Sequence, residues 1–113
     1  MFEYSAQLVK VIDADTFLLD VDLGFHITVR ERFRLTRANA PERMSIDGMK
    51  AVAFVTLQLS KATAIKVSSE KSRQEKYGRW LCELHFQTAD TGDRWQSLNQ
   101  LLLDTRHAVP LKR

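Results

Sequence analysis

The residue pattern predicts a mainly β fold of the α+β class, with short strands closed into a small barrel, one helix laid on it and a short C-terminal helix. Three observations lead there. β-prone residues alternate over several short runs, two other runs have helical spacing, and acidic or glycine-containing turns punctuate the strands. At 113 residues and 44% hydrophobic content, the chain can build one compact core and is too short for two ordinary domains. Residues 1–113 are therefore read as a single domain.

Tyr4 to Ile12 is β-prone and loosely alternating, Asp13-Ala14-Asp15 interrupts it, and Thr16 to Val21 resumes the extended pattern. This reads as two strands joined by an acidic bend. After Asp22-Leu23-Gly24, the run from His26 to Thr36 sets Ile27, Val29, Phe33 and Leu35 on one face and Arg30, Arg32 and Arg34 on the other, because strand side chains alternate. Glu31 interrupts the apolar face, marking either a bulge or a stretch where the strand leaves the core. Asn39-Ala40-Pro41-Glu42 reads as a loop, since proline is barred from a central ladder position and restricts the residue before it.

The next regular element begins near Asp47, and residues 49–62 hold Met49, Val52, Val55 and Leu59 at helical spacing, with alanines that permit close packing. Ala64 to Ser68 reads as the fourth strand. The polar stretch Ser69 to Glu75 has little to bury and reads as a mobile loop. A fifth strand follows Gly78, with Leu81, Leu84 and Phe86 among its apolar members, before the turn Asp90-Thr91-Gly92-Asp93. Ser97 opens the short second helix, turning Leu98, Leu101 and Leu102 inward. Five strands with a helix between the third and fourth is the order of the OB-fold barrel, a scaffold often used on oligonucleotides. Fold alone does not give function.

Lys and Arg number 17 against 14 Asp and Glu, a formal charge of +3. So small an excess leans toward an anionic partner without identifying one, and the placement of the charges has to decide. Cys82 is the single cysteine, so no internal disulfide can form, and Leu81 and Leu84 beside it predict a buried thiol. The first residues lack a basic start followed by an apolar run, and no stretch has the length to cross a bilayer. A cytoplasmic protein without a membrane partner is expected, with a monomer as the favoured state. His26, His85 and His107 are scattered without zinc-ligand spacing and read as surface or packing residues. Trp80 and Trp95 sit beside apolar residues and read as partly buried, although either ring could stack on a base.

Three polar clusters stand apart from the packing pattern: Asp13 and Asp15, the segment Arg34 to Glu42, and Lys76-Tyr77-Gly78-Arg79. Each has an ordinary reading, since paired aspartates and Tyr-Gly steps form turns and outward arginines are usually solvated. Their joint appearance changes that. Val11-Ile12-Asp13-Ala14-Asp15-Thr16, Phe33-Arg34-Leu35 with Asn39-Ala40-Pro41-Glu42, Glu75-Lys76-Tyr77-Gly78-Arg79, and Leu98-Asn99 with Leu102 and Ala108 occur in order from about Val9 to Ala108. In identity and spacing this set resembles the staphylococcal nuclease (thermonuclease-like) family. Two departures stand out: the family usually has aspartate where this chain has Asn39, and its longer members continue into a further C-terminal helix.

The resemblance implies a metal-dependent nuclease acting on DNA, RNA or both, single-stranded or frayed, with little sequence specificity. By it, Asp15, Asn39 and the carbonyl of Ala40 hold a divalent ion, Ca²⁺ first, with Mg²⁺ or Mn²⁺ as alternatives, and Asp13 supports them. Glu42 orients or deprotonates the attacking water, Arg34 and Arg79 clamp the phosphate, and Lys76 and Tyr77 take a neighbouring phosphate. The chemistry is consistent with these residue types. A phosphodiester is anionic and resists water, so hydrolysis needs hard oxygen ligands for a cation, an activated water and forked guanidinium donors that lysine cannot copy. The alternative is a catalytically inactive OB-fold module that binds nucleic acid, and Asn39 is the residue that separates the two, because one carboxylate fewer weakens a Ca²⁺ site.

Overall fold

The computed structural model describes residues 2–69 and 78–111. In chain order the elements are β1 (Phe2–Asp13), β2 (Thr16–Asp22), β3 (Thr28–Leu35), β4 (Ala38–Asn39), α1 (Ile46–Ser60), β5 (Ala62–Ser69), β6 (Trp80–Thr88), β7 (Gln96–Ser97), α2 (Leu98–Asp104) and β8 (Val109–Pro110). β1 is long enough to serve two neighbours, pairing antiparallel with β5 through Phe2 to Ala6 and with β2 through Ala6 to Asp13. Its register with β2 shifts between Leu8 and Lys10 and again between Val11 and Asp13. Such irregularities add local twist, and a strongly curled β1 can leave one partner for the other. The sheet order β3-β2-β1-β5-β6-β7 closes on itself where β3 runs parallel to β6. β1, β2, β3, β5 and β6 thus form the closed, OB-fold-like barrel that the element order predicts.

The interior is filled mainly by alternate residues of these strands, among them Phe17 and Leu19 of β2, Phe33 and Leu35 of β3, and Leu84 and Phe86 of β6. α1 adds Ala51, Val55 and Leu59 to the same buried cluster, and α2 adds Leu98 and Leu102. Cys82 is buried as expected, and burial, followed by the charge of Glu83, pushes its thiol far above the usual range. It is no nucleophile at neutral pH. No described helix is long and apolar enough to cross a membrane.

Several expectations need correction. Met49 is 54% exposed, and the buried stripe of α1 is Gly48, Ala51, Val55 and Leu59. The helix is rotated because Gly48 lies against the backbone of Glu42, where a Cβ would come within 1.8 Å of the Glu42 carbonyl oxygen. α1 begins at Ile46, next to the start expected near Asp47, and Ser45 caps it by accepting from Gly48 N at 2.9 Å. Ile27 is exposed: it belongs to the turn before β3, in which Leu23 N donates to Ile27 O. The β2–β3 register runs without a shift from Thr16↔Arg34 to Asp22↔Thr28, so Glu31 marks a half-buried stretch leaving the core and not a bulge. The short β4–β8 pair was not foreseen in the pattern. Most of the loop expected from Ser69 to Glu75 lies outside the described residues.

Asn99 ties the second helix to the barrel. It is fully buried; its Oδ1 accepts from Leu84 N at 3.0 Å, and its Nδ2 donates to Thr36 O at 2.8 Å and Cys82 O at 3.2 Å. Asn99→Ala leaves the buried Leu84 N–H without its partner, while the Thr36 and Cys82 carbonyls each lose one donor and keep the N–H groups of Ala38 and Thr36, so a loss of about 2 kcal/mol is expected in urea denaturation. A loss below ~1 kcal/mol would mean that water takes over these bonds and that Asn99 is not the tie.

Candidate active site

The acidic bend is a two-residue connection, Ala14-Asp15, between β1 and β2, closed by the Asp13↔Thr16 pair. Ala14 is fully buried there, and the aspartates on either side of it line the same cavity. Asp15 is itself 6% exposed and is held on several sides. Its backbone carbonyl accepts from Leu35 N at 2.9 Å, its Oδ1 from the Thr16 hydroxyl at 3.0 Å, and its Oδ2 from Ala40 N at 2.8 Å. Arg34 Nη1 stands 3.3 Å from the same Oδ2.

Arg34 organises the segment after β3. Nη1 donates to Leu35 O at 2.9 Å and Ala38 O at 3.0 Å, and Nη2 donates to Asn39 Oδ1 at 3.0 Å. Those three bonds use three of its five N–H donors. The segment is gripped from its other side by β8, where Asn39 pairs with Val109 and Leu111 N donates to Arg37 O at 2.8 Å. Arg37 adopts a left-handed backbone (φ 67) and its side chain forks onto Glu83 at 2.6 and 3.2 Å.

Glu42 follows Pro41 on an exposed loop. Ser45 donates its hydroxyl to Glu42 O at 2.6 Å, Gly48 packs on the same peptide, and Met44 N donates to Glu42 Oε2 at 3.0 Å. The helix start thus fixes the backbone that presents this carboxylate. Arg79, next to the first residue of β6, reaches Thr16 Oγ1 with Nη1 at 3.5 Å.

Asp13, Asp15, Arg34, Asn39, Ala40, Glu42 and Arg79 all line one cavity of about 350 Å³. Seven sequence-predicted residues therefore meet in space. Lys76 and Tyr77 lie outside the described residues. Pro41 and Arg43 complete the lining. Arg43 was missed in the sequence; its signal was its place directly after the Pro-Glu pair. Of the other residues weighed, His26 is exposed, His107 stacks on Phe54 with ring centroids 4.2 Å apart, Trp80 is partly buried, and Trp95 is 39% exposed with Lys66 Nζ 4.3 Å from its ring centroid.

The cavity mixes opposite charges at close range. Burial raises the pKa of Asp13 above its ordinary value of 3.8, and the negative charges of Asp15 and Glu42 add to this, while the charge and backbone N–H of Arg43 oppose it. Asp13, Asp15 and Glu42 repel one another, and Arg34, Arg43 and Arg79 on the same lining oppose that repulsion. The donor set consists of oxygens only, which fits Ca²⁺ or Mg²⁺ and not a thiolate- or imidazole-seeking metal. Among the described residues, however, no three His, Cys, Asp or Glu side chains form a ready-made ligand group. Compared with known proteins, the chain matches no family model and no curated protein. Fold and cavity together define a small OB-fold-like barrel with an acid-and-arginine site at the acidic bend.

Because the folded state raises the Asp13 pKa, it binds that proton more tightly than the unfolded chain does. The stabilisation from protonated Asp13 is full below the unfolded value of 3.8 and is lost as pH rises through the folded value. Asp13→Asn removes the ionisation, so in chelator the variant is expected to melt higher than the parent at neutral pH, with the gap closing as pH falls toward 3.8. Equal melting at neutral pH would show that the arginines already offset this charge.

Proposed function

We propose that this protein is a metal-dependent nuclease that hydrolyses phosphodiester bonds of DNA, RNA or both, with single-stranded or frayed substrate and little sequence preference. The observation supporting this reading is the convergence of Asp15, Arg34, Asn39, Glu42 and Arg79 on one open cavity from separate stretches of chain. In this reading Asp15, the Asn39 amide oxygen and the Ala40 carbonyl hold the ion, Ca²⁺ before Mg²⁺ or Mn²⁺. When bound, the ion would neutralise charge on the phosphoryl oxygen. Arg34 turns its two remaining donors to the phosphate, and Arg79 approaches from the start of β6. Glu42, with one oxygen on Met44 N, uses the other to orient the attacking water. Asp13 steadies the acidic bend, and Lys76 and Tyr77 are assigned to a neighbouring phosphate.

A second reading, an inactive OB-fold module that binds nucleic acid, is favoured by one observation: the Asn39 oxygen already accepts from Arg34. Incubating purified protein with single-stranded DNA and with RNA, each with Ca²⁺, Mg²⁺, Mn²⁺ or chelator, separates the two. Cleavage is expected with a divalent ion and not with chelator, and Arg79→Lys is expected to lower turnover by about 100-fold, because charge survives while the fork is lost. Binding without turnover under every ion would leave the inactive module.

Asn39→Asp tests the ion site. A third carboxylate is expected to tighten Ca²⁺ binding in calorimetry, and the variant's melting temperature should rise more on adding Ca²⁺ than the parent's does. If calorimetry shows no tightening, the new charge is spent on Arg34 and residue 39 is not a ligand.

A further inference from the structure

The outward arginines of β3 are not equivalent. Arg30 forks onto Asp20 at 2.7 and 3.0 Å, and Arg34 lies 3.3 Å from Asp15, so each has an aspartate. Arg32, between them, is exposed and has no carboxylate within 4 Å among the described residues. Across β2 it faces Leu18, and Leu18 faces Lys10 of β1, which is exposed and likewise lacks an acidic neighbour among the described residues. Leu18 alternates with the fully buried Phe17 and Leu19, so it points out of the barrel, where it is half-buried. The outer wall therefore carries a row of cation, leucine and cation where the next row carries a matched Arg30–Asp20 pair.

That row adjoins the site. Arg32 is two residues from Arg34 on the same face, about 6.7 Å along the strand, a distance of the order of one step between phosphates in an extended strand. Arg79 comes in beside it, since Trp80 pairs with Phe33 in the parallel ladder. From Lys10 to Arg32 the row crosses two strand spacings, about 10 Å, wide enough for one nucleotide and too narrow for both backbones of a duplex. We infer that the Lys10–Leu18–Arg32 row seats the nucleotide one step beyond the two joined by the reacting phosphate of a single strand, with Arg32 and Lys10 on the backbone phosphates on either side of it and Leu18 beneath its base or sugar.

This inference rests on the nuclease reading for the position of the reacting phosphate, but its test does not need turnover. Anisotropy of a labelled oligothymidylate of about 12 nucleotides, within the ~4–16 nucleotide footprint of an OB barrel, is measured in chelator over a range of salt. Arg32→Glu and Lys10→Glu are each expected to weaken binding by about 5-fold or more and to flatten the log–log salt dependence by about one phosphate contact. Leu18→Ala should weaken binding with the salt slope unchanged, and Arg30→Gln should leave both as in the parent. Turnover of a dinucleotide, too short to reach the row, should be the same in all four variants. Parent-like affinity and slope in both charge variants would overturn the row, as would an equal loss on the dinucleotide or tighter binding of duplex than of single strand. If the parent cleaves nothing, the nuclease reading fails while the anisotropy still decides the row; if it binds no strand, both fail.

Discussion

Asp15 is the point on which the site depends. Its backbone oxygen, its two carboxylate oxygens and its ion pair with Arg34 connect the acidic bend to the end of β3 and to the Asn39-Ala40 peptide. A carboxylate this buried is tolerated only with such partners, because an unpaired charge away from water is costly. The same partners restrict how it can be used. Oδ2 is shared by an N–H and a guanidinium, so a cation placed there would have to share an oxygen already engaged.

The segment from Arg37 to Glu42 is irregular and is held from several directions. Arg34 bonds the Ala38 carbonyl and the Asn39 side chain, β8 pairs with β4, Arg37 anchors through Glu83, and Gly48 receives the Glu42 peptide. The left-handed backbone of Arg37 costs about 1 kcal/mol, and its fork onto Glu83 offsets it. On Glu83, burial would raise the carboxyl pKa, but hydrogen bonds from Arg37 and Ser97 outweigh it and the pKa is lowered. This anchor shares Cys82, Thr36 and Asn99 as neighbours along the chain or through hydrogen bonds, so the second helix, the sixth strand and the site loop are parts of one construction.

Much of this could be read along the chain. Alternation located the five barrel strands, helical spacing located α1 and α2, and Ser97 acted as the cap it promised to be. The acids and arginines of the cavity were legible only as a joint set, through the resemblance in identity and spacing, since each cluster taken alone reads as a turn or a solvated face. Arg37 was not legible, since its partner Glu83 lies 46 residues away along the chain, and Arg43 offered only its place after the Pro-Glu pair. Met49 was misplaced because spacing gives the width of an apolar stripe and not its rotation; the close approach of Gly48 to the Glu42 backbone, where a Cβ would come within 1.8 Å of the carbonyl oxygen, sets that.

By itself the sequence determined the local preferences: which residues extend, where the chain bends, which side of each strand is apolar, and which charged groups lie in loops. These follow from backbone sterics and side-chain alternation, which act between near neighbours. Barrel closure decided the rest. The parallel seam between β3 and β6 brings Arg79 beside β3 and the acidic bend, the β4–β8 pair fixes Asn39, and cross-strand register leaves Arg32 opposite a leucine while Arg30 meets an aspartate. Such pairings join residues far apart along the chain, and only the closed sheet chooses among the registers that local alternation allows.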